Sequence, residues 1–185
     1  MKRQEIERYF SNLAGNAFIM KIRNIQIRIE EYETENSLEK LDKNLLALAQ
    51  EAIKGSYAPY SEFRVGVALM LENGEVIQGS NQENAAYPSG LCAERVAIFH
   101  AKSKYPDLKV KSIAITASSD NFVTRSPITP CGACRQVIAE TESRQNDKIR
   151  IIMKGQEGIV QAVDGIENLL PLMFKEEQLK KSKRK

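Results

Sequence analysis

This sequence of 185 residues has no tryptophan, one histidine and three cysteines, and aromatic residues make up only 6% of it. Each shortage closes off a class of protein. Without tryptophan, and without a stripe of alternating basic and aromatic residues, the chain lacks the stacking platform that holds single-stranded nucleic acid. No apolar run approaches the roughly 20 residues of a membrane-spanning helix. The N-terminus carries charges early and shows no apolar core followed by a small-residue cleavage site, so no signal peptide is read there. Three cysteines, none of them needed for a disulfide, fit a reducing cytoplasm. Apolar residues at 42% and charged residues at 28% are ordinary for a globular chain, and the length is that of one domain. The net charge is +3, and much of the excess sits in Lys180-Lys181-Ser182-Lys183-Arg184-Lys185. A basic tail this short reads as a solvated end rather than a nucleic-acid arm.

All three cysteines fall between Asn81 and Gln136, in Cys92-Ala93-Glu94-Arg95 and in Pro130-Cys131-Gly132-Ala133-Cys134-Arg135-Gln136. Cysteine thiolates bind zinc, and structural zinc sites normally use four protein ligands. Three cysteines leave one tetrahedral position for water, which is the mark of a catalytic zinc. Two other readings use fewer of the residues. A Cys-x-x-Cys redox pair leaves Cys92 and Glu94 without a purpose. A Cys₃His structural zinc would have to recruit His100, which stands about 12 Å from Cys92 if both lie on one helix.

Taken together, Cys-Ala-Glu-Arg and Pro-Cys-x-x-Cys resemble the signature of the cytidine deaminases, in their small, all-cysteine, homotetrameric form. The resemblance runs from about Leu41 to Phe174. It implies one zinc ion per chain on Cys92, Cys131 and Cys134. It implies that Glu94, not itself a ligand, takes the proton of the attacking water, protonates N3 of the pyrimidine and assists the departure of ammonia. Asn81 and Glu83 match the family's Asn-x-Glu, which holds ribose hydroxyls. Phe63 matches an aromatic near the base, and Ala93 supplies backbone groups to the pyrimidine edge. Arg95 matches an arginine that donates to the ligand sulfurs, a role the residues alone leave open between Arg95 and Arg135. Tyr87 and Phe174 match positions that close the site of a neighbouring subunit. Read without the resemblance, Asn81 is a strand-ending residue, Glu94 a first-turn acid favoured by the helix dipole, Arg95 a surface ion-pair partner, and Phe63 and Phe174 packing residues.

The implied activity is hydrolytic deamination of free cytidine and deoxycytidine to uridine and deoxyuridine, a step of pyrimidine salvage. The implied protein is a cytoplasmic homotetramer acting on a small nucleoside, with neither membrane nor nucleic acid as partner. A related deaminase acting on blasticidin S carries the same motifs, so they imply a free nucleoside without saying which. A reading from another class is a non-catalytic zinc domain that binds RNA through its basic tail, with strongly salt-dependent affinity.

The patterning predicts a three-layer α/β/α domain over residues 37–175, with a mixed five-stranded sheet. Before it lies an extension, residues 1–36, partly a strand where Ile25, Ile27 and Ile29 alternate with polar residues. Met20-Lys21 reads as a start in its own right, and residues 176–185 form the tail. A helix is expected over 42–54, capped by Asp42 and ended by Gly55 in left-handed geometry, with Leu41, Leu45, Leu48 and Ala52 on its apolar face and Leu46, Ala49 and Ile53 broadening it. Phe63–Leu71 alternates as a strand, and Asn73-Gly74 predicts a type I′ hairpin into the next. Helices are expected from Leu91 and from Cys131, each opening at a candidate ligand. The final strands are joined by Gly155-Gln156-Glu157-Gly158. A parallel pair needs a crossover of about a dozen residues, so these two strands must be antiparallel. Polynucleotide deaminases resemble one another in having a helix at this point.

Overall fold

The structure, a computed structural model, describes residues 21–175. The expected residue 1–19 extension and the basic tail lie outside them. The elements run β1 (Glu30–Tyr32), α1 (Lys40–Ala52), β2 (Phe63–Leu71), β3 (Val76–Ser80), α2 (Ala93–Lys104), β4 (Val110–Ser119), α3 (Gly132–Gln145), β5 (Arg150–Lys154) and β6 (Val160–Asp164). They form one six-stranded mixed sheet in the order β1-β6-β5-β4-β2-β3. Only β4 and β5 are parallel, joined through the crossover helix α3. The strands β5 and β6 pair antiparallel, as their short connection requires. Among the described residues, no helix is long and apolar enough to cross a membrane.

The alternation of β2 explains the layers. Val67, Leu69 and Leu71 pack with Ala97 and Ile98 of α2 and Ile138 of α3 on one face. Ala68 faces the other way, against Leu45, Leu46 and Ala49 of α1. Small residues on that second face let α1 sit close: a Cβ on Gly66 would lie 2.1 Å from the Ala49 carbonyl oxygen.

Five local expectations need correction. The sheet has a sixth strand, β1, and it is not built from the alternating isoleucines. Ile22, Ile25, Ile27 and Ile29 are exposed, and pairing with β6 begins only at Glu30. There Arg150 donates to Glu30 at 3.0 Å and to the Tyr32 hydroxyl at 3.1 Å, so a half-buried cation ties the edge strand in place. Asp42 does not cap α1. It is buried and accepts from Arg150 Nε at 2.7 Å, while Glu39 holds the N-cap position without a side-chain bond. Gly55 is not left-handed, because the helix tightens into a 3₁₀ turn over Ile53–Gly55 instead. The apolar face of α1 is centred on Leu45, Leu46 and Ala49, and Leu41 is left exposed. The Asn73-Gly74 hairpin is not type I′, since Gly74 alone has positive φ, 85°. A bond from the Gly74 N–H to the Leu71 carbonyl closes the turn, and the Leu71 N–H donates to the Glu75 carbonyl. This is the pattern of a three-residue loop with a bulge.

One half-buried acid gives the fold a pH dependence. Glu142 of α3 accepts from the N–H groups of Ile149 and Ile166, at 2.9 and 3.1 Å. Burial nevertheless pushes its pKa up to about 7 from an ordinary 4.5. A raised carboxyl pKa means that the stabilising protonated form is fully present below pH 4.5 and lost as pH rises through about 7. Glu142→Gln keeps an acceptor for both N–H groups and cannot ionise. The parent is expected to lose on the order of a few degrees of melting temperature between pH 5 and pH 8 that the variant keeps. Equal losses in thermal melts of both proteins would remove this role from Glu142.

Candidate metal centre and substrate cavity

Two helix N-termini meet beyond the ends of β3 and β4, and each opens on a cysteine. Cys92 is the N-cap residue of α2 and Cys131 that of α3, both in extended backbone. The N-terminus of α2 is seated by glycine: a Cβ on Gly79 of β3 would stand 2.6 Å from the Ala93 carbonyl oxygen. The approach to Cys92 is held by reciprocal backbone bonds between Gln82 and Leu91, each 2.9 Å. The approach to Cys131 is a long loop after β4, pinned at Thr124. The Thr124 hydroxyl donates to the Ala117 carbonyl at 3.2 Å and accepts from the Gln156 N–H at 2.8 Å. Arg135 completes the brace, donating to the carbonyls of Pro130 at 2.8 Å and Leu169 at 2.6 Å.

These braces bring the three sulfurs within 4.8 Å of one another. Cys92 Sγ lies 3.7 Å from Cys131 Sγ, and Cys131 Sγ lies 3.4 Å from Cys134 Sγ. Sulfur ligands about 2.3 Å from a tetrahedral zinc stand roughly 3.8 Å apart, so the group is close to the size a zinc ion requires. Cys134, one turn into α3, is fully buried. Its hydrogen bond to Cys92 is the main force drawing the Cys92 pKa down to about 5 against the opposing effect of burial, and Arg95 adds to it. The same bond, with burial, drives Cys134 upward. A dication among the sulfurs would hold them as thiolates. The cluster can hold a zinc ion. His100 takes no part in it and is exposed.

Of the two arginines left open by the sequence, Arg95 is the one at the sulfur. Its Nη2 stands 3.8 Å from Cys92 Sγ and donates to the Gly90 carbonyl at 3.3 Å. Its Nε is buried without a partner among the described residues. Arg135 commits its donors to Pro130, Leu169 and Thr129.

Glu94 follows in the first turn of α2, with only 4% of its surface exposed. Burial, reinforced by the nearby Cys92 sulfur, raises its pKa above the usual carboxylate range. It lines a cavity of about 640 Å³ together with Cys92, Cys131, Arg95, Phe63, Asn81 and Glu83. That volume is within the range of small-molecule sites.

The far wall is a hydrogen-bonded frame. The Asn81 side chain accepts from the Val65 N–H at 2.8 Å and donates to the Phe63 carbonyl at 2.9 Å, as a strand neighbour would. It also accepts from the Ser56 hydroxyl. Glu83 accepts from the Tyr60 N–H at 2.9 Å, and from the Ser61 N–H and hydroxyl. The Ser61 hydroxyl is the leading cause of its lowered pKa. Both side chains therefore hold the 56–63 loop as well as facing the cavity. Tyr87 is on the rim, 77% exposed, edge-to-face with Tyr60 at 6.2 Å. Ala93 is fully buried and Phe174 is exposed elsewhere on the chain, its carbonyl accepting from Gln136 at 2.8 Å; neither lines the cavity. The sequence reading did not pick out Ser56, Ser61, Ile128 or Thr129 as site residues. Isolated serines and a loop isoleucine carry no spacing signal, and only the fold brings them to this place.

Comparison with known proteins agrees with this geometry. Residues 39–146 match the family model described as the cytidine and deoxycytidylate deaminase zinc-binding region. The chain is 38% identical over 135 residues to a cytidine deaminase of Halalkalibacterium halodurans, covering 73% of this chain and 95% of that one. It is 38% identical over 137 residues to a cytidine deaminase of Sporosarcina psychrophila, covering 74% and 93%. A crystal structure of cytidine deaminase from Burkholderia pseudomallei superposes with a TM-score of 0.62 at 36% identity, over 71% of this chain and 97% of that one.

Proposed function

This chain belongs to the cytidine and deoxycytidylate deaminase family, and we propose that it hydrolyses free cytidine and deoxycytidine to uridine and deoxyuridine with release of ammonia. The observation that carries the reading is the position of Glu94, a buried acid on a nucleoside-sized cavity whose wall includes two of the three clustered cysteines.

Cys92, Cys131 and Cys134 would hold one zinc ion. When bound, that ion supplies Lewis-acid activation of the attacking water. Glu94 takes the proton from this water and delivers it to N3 of the pyrimidine. Oxygen adds to C4, Glu94 takes the proton left on that oxygen and passes it to the leaving nitrogen, and the C4–N4 bond breaks as the C4 carbonyl forms and ammonia departs. Two protons are thus moved, and the carboxylate is regenerated. Phe63, which lines the cavity, packs against the base. Asn81 keeps one amide hydrogen, and Glu83 keeps acceptor capacity, for the sugar hydroxyls. Arg95 donates to the Cys92 sulfur and offsets the excess negative charge of three thiolates.

The charges of the cavity favour a nucleoside over a nucleotide. Among the described residues its acidic lining is Glu83, Glu94 and the thiols of Cys92 and Cys131, and its single guanidinium, Arg95, is turned toward Gly90 and Cys92. Among the described residues a phosphate would meet carboxylates and no free cation there. The antiparallel β5–β6 hairpin likewise leaves out the helix expected of polynucleotide deaminases.

The test is loss of cytidine absorbance catalysed by the purified, zinc-analysed protein, with a Glu94→Gln variant beside it. Turnover by the parent that the variant lacks supports the reading. An inactive parent with full zinc overturns it.

The assembly proposed is a homotetramer in which Tyr87 and Phe174 cover a neighbouring site. Both rings are more than half exposed on the single chain, at 77% and 53%. Light scattering is expected to give about four times the 20.8 kDa chain mass. A monomer or dimer mass would remove the assembly without touching the chemistry.

A further inference from the structure

The loop after β4 does a second job besides carrying the chain to Cys131. The β2–β4 ladder ends with Phe63 opposite Ser119. Just past that point, three consecutive residues of the loop meet three consecutive residues at the start of β2. Arg64 Nη1 donates to Asp120 at 2.6 Å. Asn121 Nδ2 donates to Glu62 at 2.7 Å. Phe122 stacks on Phe63, with ring centroids 6.2 Å apart and planes 21° from parallel.

The first of the three residues on the β2 side is under strain. Glu62 has φ of +53°, a left-handed conformation that a side-chain-bearing residue seldom adopts. The bond from Asn121 helps hold it there. That turn sets the direction in which Phe63 leaves the loop, and the Phe63 N–H is taken by the Ser61 hydroxyl at 3.1 Å. Phe63 lines the cavity, whereas Phe122 does not and remains 57% exposed.

We propose that Phe122, with the Asn121–Glu62 bond beside it, is a positioning residue for substrate binding: it backs the Phe63 ring and fixes the plane that Phe63 offers to the base. This rests on the nucleoside deaminase reading given above. The proton transfers at Glu94 occur on the opposite wall and do not pass through Phe122. Loss of the backing ring therefore affects how tightly the base is held, not how fast it reacts once held.

The experiment is steady-state kinetics with cytidine on the full chain. Phe122→Ala is expected to raise KM about three- to tenfold, the range of an aromatic pair, and to leave kcat within about twofold. Phe122→Tyr keeps the ring and is expected to restore the parent KM. In a Phe63→Leu background, Phe122→Ala is expected to add nothing, because the ring it backs is gone. An unchanged KM in Phe122→Ala overturns the inference, as does a Tyr variant as impaired as Ala, or a full additional loss in the double variant. A loss confined to kcat also overturns it. A parent that turns over no cytidine overturns the functional reading and this inference together, whereas an active parent with an indifferent Phe122→Ala overturns the inference alone.

Discussion

Glu94→Gln is expected to lower kcat for cytidine by about 10²–10⁴-fold, with zinc still bound at about one ion per chain. Glutamine has nearly the shape of glutamate and can still hydrogen-bond, but it cannot accept a proton from water and return it to N3. The zinc expectation follows from geometry, since the metal-sized cluster consists of Cys92, Cys131 and Cys134 without Glu94. A structural explanation for lost activity can be separated from a chemical one. Glu94 is only 4% exposed, and burial works against its ionised form. A neutral isostere removes that penalty, so the variant should melt no lower than the parent. Stopped-flow absorbance, metal analysis and a thermal melt on the same preparation check all three points. A variant retaining more than about a third of parental kcat would end the proton-carrier role. One that lost its zinc would make Glu94 part of the metal centre instead.

Cys134→Ala is the second large effect. Its zinc content is expected to fall from about one ion per chain to below roughly a tenth after dialysis against a chelator, and cytidine turnover to become undetectable. Cys134 is the fully buried member of the cluster, held in the first turn of α3. Cys131, its nearest sulfur at 3.4 Å, is exposed. Removing the buried thiolate leaves two sulfur ligands on two different helices, where a zinc site needs at least three protein donors. Metal binding also contributes to folding free energy. Chelation should therefore lower the melting temperature of the parent toward that of the variant and leave the variant unmoved. Full zinc retention by Cys134→Ala would show that the ion is held elsewhere.

Much of this protein is legible in short stretches of its sequence, because some constraints act along the covalent chain. Four residues between Lys154 and Ile159 cannot make a crossover, so β5 and β6 had to be antiparallel. Alternation along β2 put Val67, Leu69 and Leu71 on one face before any partner was known. Cys131 and Cys134, one helical turn apart, could share an ion, and a glutamate two residues after Cys92 had to stand near the same helix start.

Other features depend on groups far apart in sequence, and local pattern misread them. Asp42 occupies a capping-like position, yet it lies buried against Arg150, 108 residues later. The same guanidinium draws the edge strand to Glu30 and Tyr32, although the alternating isoleucines gave the clearer local signal. Arg95 and Arg135 follow their cysteines in the same helical context. Only the packing of Pro130 and Leu169 around Arg135 leaves Arg95 at the sulfur. The stack of Phe122 on Phe63 has no sequence signature, since it forms where the β2–β4 ladder ends. Spacing along the chain determined which groups could act together. The register of the sheet decided which of them meet, because hydrogen-bond pairing between distant strands sets the distances that short-range propensity cannot.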